Sequence, residues 1–411
     1  MSEANQIATN KPLLSVGLNA FATFLVSISM GMNAVLFPVT MENNGIETSM
    51  IGTILSLETI ASLLMCFFLP HLLKIFGMRL SLILVTLFRV PPLFFLGFTD
   101  ETSMWVIGIF FHGVGSFTFL ILLQVWVNSI QFKKNAGLMI ALYSTAISLG
   151  LAGGPFVLSM IDSMNLMTIY PGDQIFAALV AQGYSEDAVT AAFKFVISAL
   201  FSTIALLPIL FGLLLVPKFQ FKGKARIMHV VMQAKGPMFA IAMAGVSIFG
   251  VTAFITLYGI RNGLSLVDAS FLLTSFMIGS LVLETPLTWL SDYFDRRYMI
   301  VISAFLCMVC AVYLPIAIYE SMQAWILVFI WGGVVGAIYS TALALIGEKF
   351  SGEELVVANA GYSIMDAGGG TIGILMIGFF MDLLGPDGLP YVIMFASIVY
   401  FSFALTRYRV V

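Results

Sequence analysis

"LTWLSDYFDRR", residues 287–297, places Asp292, Asp295, Arg296 and Arg297 within its last six positions. Around it, only 9% of the 411 residues are charged and 60% are hydrophobic, with 37 Phe and a mean hydropathy of +1.04. Soluble domains carry roughly 25% charged residues, so most of this surface is written for lipid. A knot of four charges in such a chain marks a bend that lies in water. Apolar runs of about 20 residues, each enough to cross ~30 Å of hydrocarbon, recur on both sides of the bend. Backbone polar groups in lipid must be satisfied within their own segment, so the runs read as helices and the chain as an all-α polytopic membrane protein.

Working outward from the bend gives twelve spans, at about 14–39, 48–72, 79–98, 103–130, 137–161, 192–217, 237–259, 267–290, 298–318, 322–347, 355–381 and 389–408. Of the 18 Lys and Arg residues, 15 fall on the side of the chain termini, against Lys194 and Arg261 on the other and Arg89 within a span. Cytoplasmic segments carry the excess of Lys and Arg, which puts both termini inside. The polar "MSEANQIATNKP" is followed by an apolar run too long for a signal-peptide core, and reads as a retained first helix.

The basic segment 218–236 divides the chain into six spans (1–217) and six more (237–411). Gly45 and Gly263, Arg79 and Arg297, and Gly150 and Gly368 are each 218 positions apart, which is the trace of an internal repeat. Residues 162–191 form a long external segment in which Asp173 to Gly183 fits a short amphipathic helix, with Asp173 as N-cap and Gly183 as its stop.

Several function classes drop out. No Lys/Arg cluster has the density of a nucleic-acid face, and the net charge is −3. Cys66, Cys307 and Cys310 make no disulfide framework, and the C-x-x-C sits inside an apolar run as two small residues one turn apart. His71, His112 and His229 are scattered, and there is no H-E-x-x-H, G-x-S-x-G or P-loop. No enzyme, metal site, cofactor or ATP-driven pump is expected.

Ionisable groups within spans cost at least about 2.5–3.5 kcal/mol on insertion scales, so each is a candidate site. They are Glu58, Arg89, His112, Glu284 and Asp366. Glu58 and Arg89 are placed to pair across adjacent helices. Asp366 is followed by Gly368, Gly369 and Gly370, which permit close backbone approach or local unwinding, and no basic residue is an evident partner. A buried carboxyl without a cation favours its protonated form, as a proton carrier requires. Histidine is the side chain most suited to proton transfer near neutral pH, which makes His112 a candidate, and Glu284 lies near the charged bend, where gating is its expected role. Candidates for lining a central path are Asn33, Gln124, Trp126, Asn128, Tyr143, Tyr258, Trp331, Tyr339 and Tyr362, with Arg89 among them.

Asp292, Arg296 and Arg297 in the opening stretch resemble the loop signature G-x-x-x-D-R-x-G-R-R of the major facilitator superfamily. Thr288 and Asp295 stand at its glycine positions and Tyr293 replaces a basic residue. The equivalent bend in the first half, "PHLLKIFGMR", keeps Gly77 and Arg79 but has Lys74 where the family has Asp. Gly150, Gly154 and Pro155 match the family's G-x-x-x-G-P, and Gly113 and Gly115 match R-x-x-x-G-x-G except that Ile109 replaces the Arg.

The resemblance implies two pseudo-symmetric six-helix bundles around a central path. By analogy Asp292 would cap the start of the fifth span near Asn135, Ala136 and Gly137. Lys74 cannot cap a helix start, and an ion pair with Glu353 or Glu354 would take that place. The implied function is secondary active transport of a small organic solute by alternating access, coupled to protons, by a monomer in the plasma membrane (the inner membrane of a Gram-negative cell). The alternatives are proton-driven efflux of lipophilic, drug-like compounds, or a non-transporting sensor or lipid-moving protein on the same fold.

Overall fold

In the computed structural model the described residues are 12–129, 136–163, 172–212, 215–216, 231–291, 293–350 and 352–408, apart from a few side chains within helices. Among them every regular element is a helix. In chain order, α1 is Pro12–Asn43, and a helical run Thr48–Leu96 turns at Gly77 (φ 66, ψ 169), which separates α2 from α3. The first half continues with α4 (Thr102–Ser129), α5 (Ala136–Ser163), α6 (Gly172–Ala181), α7 (Glu186–Ile204) and α8 (Leu206–Phe211). The second half has α9 (Lys235–Arg261), α10 (Leu266–Leu290), α11 (Arg296–Ala317), α12 (Ser321–Lys349), α13 (Gly352–Leu384) and α14 (Gly388–Tyr408).

Eleven described helices are long and apolar enough to cross a membrane, and Gly388–Ala404 is a shorter apolar twelfth. The sixth span differs most from the reading of the sequence. It starts at Glu186 rather than near 192, because Ser185 caps the Ala188 N–H at 3.2 Å and Glu186 and Asp187 complement the first turn. It breaks at Ala205, where the helix passes into α8 just before Pro208. The short helix in the external segment is α6, and Gly183 beyond it has φ +100. The expected cap, Asp173, falls inside α6, and its side chain lies outside the described residues.

The chain forms two compact units. One comprises residues 1–44 and 64–221, the other 45–63 and 222–411. Without water between them, helices associate through close packing of small residues. In the first unit, a Cβ on Gly154 would overlap the backbone of Gly31, and one on Gly150 would lie 2.6 Å from the Phe24 carbonyl, which brings α5 against α1 just before Pro155. In the second unit, a Cβ on Gly369 would overlap the Ala242 carbonyl and one on Gly370 would lie 2.5 Å from the Phe249 ring, while Gly368 faces open space. The first helix with the fifth long one, and the seventh with the eleventh, thus make the same kind of contact, as the 218-residue repeat implies.

Also in the second unit, the start of α2 runs antiparallel along α13 in constant register. Thr48 N–H meets Asp382 at 3.0 Å, a Cβ on Gly52 would lie 3.2 Å from Gly378, and the Thr59 and Thr371 hydroxyls are 2.7 Å apart.

Candidate functional site

The charged bend has a local explanation. Asp295 is the N-cap of α11, its carboxylate accepting the Arg297 N–H at 2.8 Å, and Arg296 pairs with Glu348 of α12 at 2.8 Å. Arg297 is exposed, and Asp292, Asn135 and the surroundings of Ala136 and Gly137 lie outside what the structure describes. In the first-half bend Lys74 is exposed and Arg79 half-buried. Glu354 is exposed, and the Glu353 side chain lies outside the described residues.

Inside the first unit, three helices each offer a buried polar pair four residues apart: Ser29 and Asn33 on α1, His112 and Ser116 on α4, Ser198 and Ser202 on α7. Residues at that spacing share a helix face, and here the faces meet. Asn33 Nδ2 is 3.1 Å from His112 Nε2, and Ser116 Oγ is 3.2 Å from the same nitrogen. Ser198 donates to Asn33 Oδ1 at 2.7 Å, Ser29 and Ser198 are 2.7 Å apart, and Ser202 donates to Ser29 at 3.0 Å. Phe37 sets its ring edge-on to the His112 imidazole, with centroids 5.3 Å apart.

Arg89 of α3 closes the far end of this network. Its Nη2 donates to the Ser202 carbonyl, and its guanidinium carbon lies 3.9 Å from the centre of the Phe119 ring. Gly115 makes the room, since a Cβ there would sit 2.6 Å from the Arg89 backbone nitrogen. Arg89 is fully buried, and its Nε and Nη1 have no hydrogen-bond partner among the described residues. The guanidinium therefore meets a carbonyl and an aromatic face where the sequence suggested the Glu58 carboxylate. A cation over a π-face keeps part of its stabilisation without a counter-ion. Glu58 is half-buried on α2.

Inside the second unit, the two intramembrane carboxyls each lie against a glycine. A Cβ on Gly336 would sit 2.7 Å from Glu284 Oε2, and one on Gly245 would sit 3.0 Å from Asp366 Oδ1. Glu284 accepts from Ser280 at 3.1 Å and from Ser340. Asp366 Oδ1 is buried with no hydrogen-bond partner among the described residues. Tyr362 stands one turn before Asp366, and its hydroxyl donates to the Tyr339 carbonyl of α12 at 2.6 Å. Two carboxyls, two serines and a tyrosine thus gather on α10, α12 and α13, with no basic side chain paired to either acid among the described residues. Such a group can take up and release protons without a fixed counter-ion.

The other candidates scatter. Trp126 is fully buried and donates to Ser15 at 3.0 Å, Tyr143 donates to the Leu120 carbonyl at 2.9 Å, and Trp331 donates to Cys307 at 3.1 Å. Tyr258 is fully buried with its hydroxyl lacking a partner among the described residues. Gln124 is exposed, and the Asn128 side chain lies outside the described residues. Reading the sequence by charge missed Ser29, Ser198, Ser202, Ser280 and Ser340. The signal was there: polar residues repeating at four-residue spacing in otherwise apolar helices.

Comparison with known proteins fits this architecture. Residues 237–410 match the family model of the Major Facilitator Superfamily. An uncharacterized MFS-type transporter of Bacillus subtilis (strain 168), YfkF, is 23% identical over 387 residues, 90% of each chain. Among solved structures, the nucleoside transporter NupG superposes with a TM-score of 0.72 at 10% identity, over 96% of this chain and 98% of that one. A bacterial homolog of the human lysosomal transporter Spinster, inward-facing and occupied, gives 0.70 at 11% identity over 98% of both chains. The C-terminal half of this multi-pass membrane protein thus matches the Major Facilitator Superfamily, and the chain as a whole is similar in sequence to an MFS-type transporter and in fold to solved transporters.

Proposed function

We propose that the protein is a proton-coupled secondary transporter of a small organic solute, working by alternating access with 1–217 and 237–411 as its halves and 218–236 as a cytoplasmic linker. The observation that carries this reading is the carboxyl group of the second unit. Among the described residues, Asp366 and Glu284 have no basic partner and one buried Asp366 oxygen has no hydrogen bond. An ionised carboxyl in such a place is expensive, and protonation relieves the cost. Asp366 is the principal proton carrier, with Glu284 beside it.

Arg89 and the polar residues of the first unit suit a solute with an anionic or zwitterionic group, since a buried guanidinium with free N–H groups matches a carboxylate. The charged bends that hold Lys74, Arg79, Asp292, Arg296, Arg297, Glu353 and Glu354 act in gating on the cytoplasmic side. Both termini lie on that side, in the plasma membrane.

The test is a solute screen in proteoliposomes with and without a pH gradient. Accumulation should follow the gradient and be lost in Asp366→Asn. Accumulation that survives collapse of the gradient, together with normal behaviour of Asp366→Asn, overturns proton coupling through this residue.

A further inference from the structure

The polar residues of the first unit form one directed chain. Ser198 donates to Asn33 Oδ1, so in its contact with Ser29 at 2.7 Å the Ser29 hydroxyl is the donor. Ser202 donates to Ser29 in turn, and the Asn33 amide nitrogen faces His112 Nε2 at 3.1 Å. Every donor from Ser202 to Asn33 therefore points towards the imidazole and ends on Nε2 as acceptor. This arrangement fits only neutral His112 with its proton on Nδ1.

We propose that this chain is a two-state switch, read by the protonation of His112 and transmitted through rotation of the Asn33 amide. A proton added at Nε2 would leave two donors facing each other at the Asn33 contact. The amide must then turn so that Oδ1 accepts from Nε2–H, with Ser116 as a second acceptor. Asn33 Nδ2 now donates to Ser198, Ser198 to Ser29, and Ser29 to Ser202. The displaced Ser202 proton finds the Ser198 carbonyl one turn back, an acceptor open to any helical serine. Each hydrogen bond reverses, and the only change in charge is the added proton.

Few charged groups stand on the packed helices. Arg89 of α3 lies against Gly115, three residues from His112. Lys194 of α7 is neutralised by Asp162 of α5 at 2.7 Å, and α1 has no charged residue between Asn19 and Met41. The donor that faces Nε2 makes the neutral ring the form seen in this structure. The switch ends at Ser202, whose carbonyl holds Arg89, so a proton at one helix is felt at the guanidinium on another. Its part in coupling rests on the transport reading above, whereas its existence does not.

The experiment is solid-state NMR of the full chain in nanodiscs, labelled with 15N-histidine, with His71→Gln and His229→Gln leaving His112 as the one signal. The neutral ring should carry its proton on Nδ1. Ser29→Ala, three hydrogen bonds from the ring, should change the tautomer ratio about fivefold, the equivalent of one net hydrogen bond. It removes the donor that turns the Ser198 hydroxyl towards Asn33, and leaves the carbonyl of residue 29, 3.3 Å from Ser198 Oγ, as a competing acceptor. Ser202→Ala, one bond further, gives the same reading should Ser29→Ala fail to assemble. A neutral ring protonated on Nε2, or a ratio unmoved by either serine, overturns the proposal. No flux is measured, so absence of proton-driven transport would leave this result standing, and the reverse holds too.

Discussion

Asp382 caps a helix that is not its own: its two carboxylate oxygens accept the N–H groups of Thr48 at 3.0 Å and Ser49 at 2.7 Å. The first N–H groups of a helix lack intrahelical partners, and a carboxylate there answers both the donors and the positive end of the dipole. Arg261 steadies the same point by donating to the Thr48 hydroxyl at 2.6 Å. Asp382→Ala should lower stability by about 0.5–2 kcal/mol, the range for losing a cap, and Asp382→Asn by less. Thermal unfolding of the purified protein in detergent checks this, and an unchanged Tm for the alanine variant would show that water serves equally well.

In the charged bend, the cap should matter more than the ion pair. Asp295→Ala removes the α11 cap and should cost about 1 kcal/mol. The Arg296–Glu348 pair has side chains 22% and 59% exposed, so Arg296→Ala and Glu348→Ala should each shift stability by no more than roughly 0.5 kcal/mol. A larger loss for Arg296→Ala than for Asp295→Ala, in the same unfolding assay, would reverse this ranking.

Two neighbouring glycines should behave oppositely. Gly368→Ala puts a methyl into open space and should be neutral or stabilising by up to ~1 kcal/mol, the helix preference of Ala over Gly. Gly369→Ala drives a methyl into the Ala242 carbonyl and should cost about 1–3 kcal/mol as α9 and α13 are pushed apart. Monodispersity on size-exclusion chromatography after graded heating separates the two.

Glu284 is held by two hydroxyls, so its role can be divided from theirs. On a solute found by the screen, Glu284→Gln keeps hydrogen bonding to Ser280 and Ser340 but loses the exchangeable proton. It should flatten the dependence of uptake on external pH while leaving the protein folded. Ser340→Ala should keep that dependence and shift only its midpoint. Identical pH profiles for wild type and Glu284→Gln would remove Glu284 from coupling.

Helix number and the position of the Gly77 bend were legible because apolar length and a glycine beside clustered charge are one-dimensional signals. The start of α7 lies outside the apolar run, because the capping pattern of Ser185, Glu186 and Asp187 extends the helix beyond it. The surroundings of Arg89 were illegible for a different reason. Helices that are apolar all round show little amphipathic moment, so the sequence does not say which neighbour a residue faces. Depth alone suggests Glu58 as the neighbour of Arg89, whereas Ser202 offers the guanidinium only a carbonyl, which every residue has. The intramembrane place of Asp366 was legible because a carboxyl in an apolar run stands out. Serines 29, 198 and 202 escaped because a hydroxyl in such a run does not.

The turn at Gly77, with φ 66 and ψ 169, keeps the ψ of an extended backbone but reverses the sign of its φ. An L-amino acid there would carry about 1–3 kcal/mol of strain, while a D-alanine would rest in its own relaxed geometry. A chemically ligated chain with D-alanine at this one position should assemble as the natural protein does, and its L-alanine twin should not. The corner between α2 and α3 is thus set by handedness, a property that neither hydropathy nor charge records.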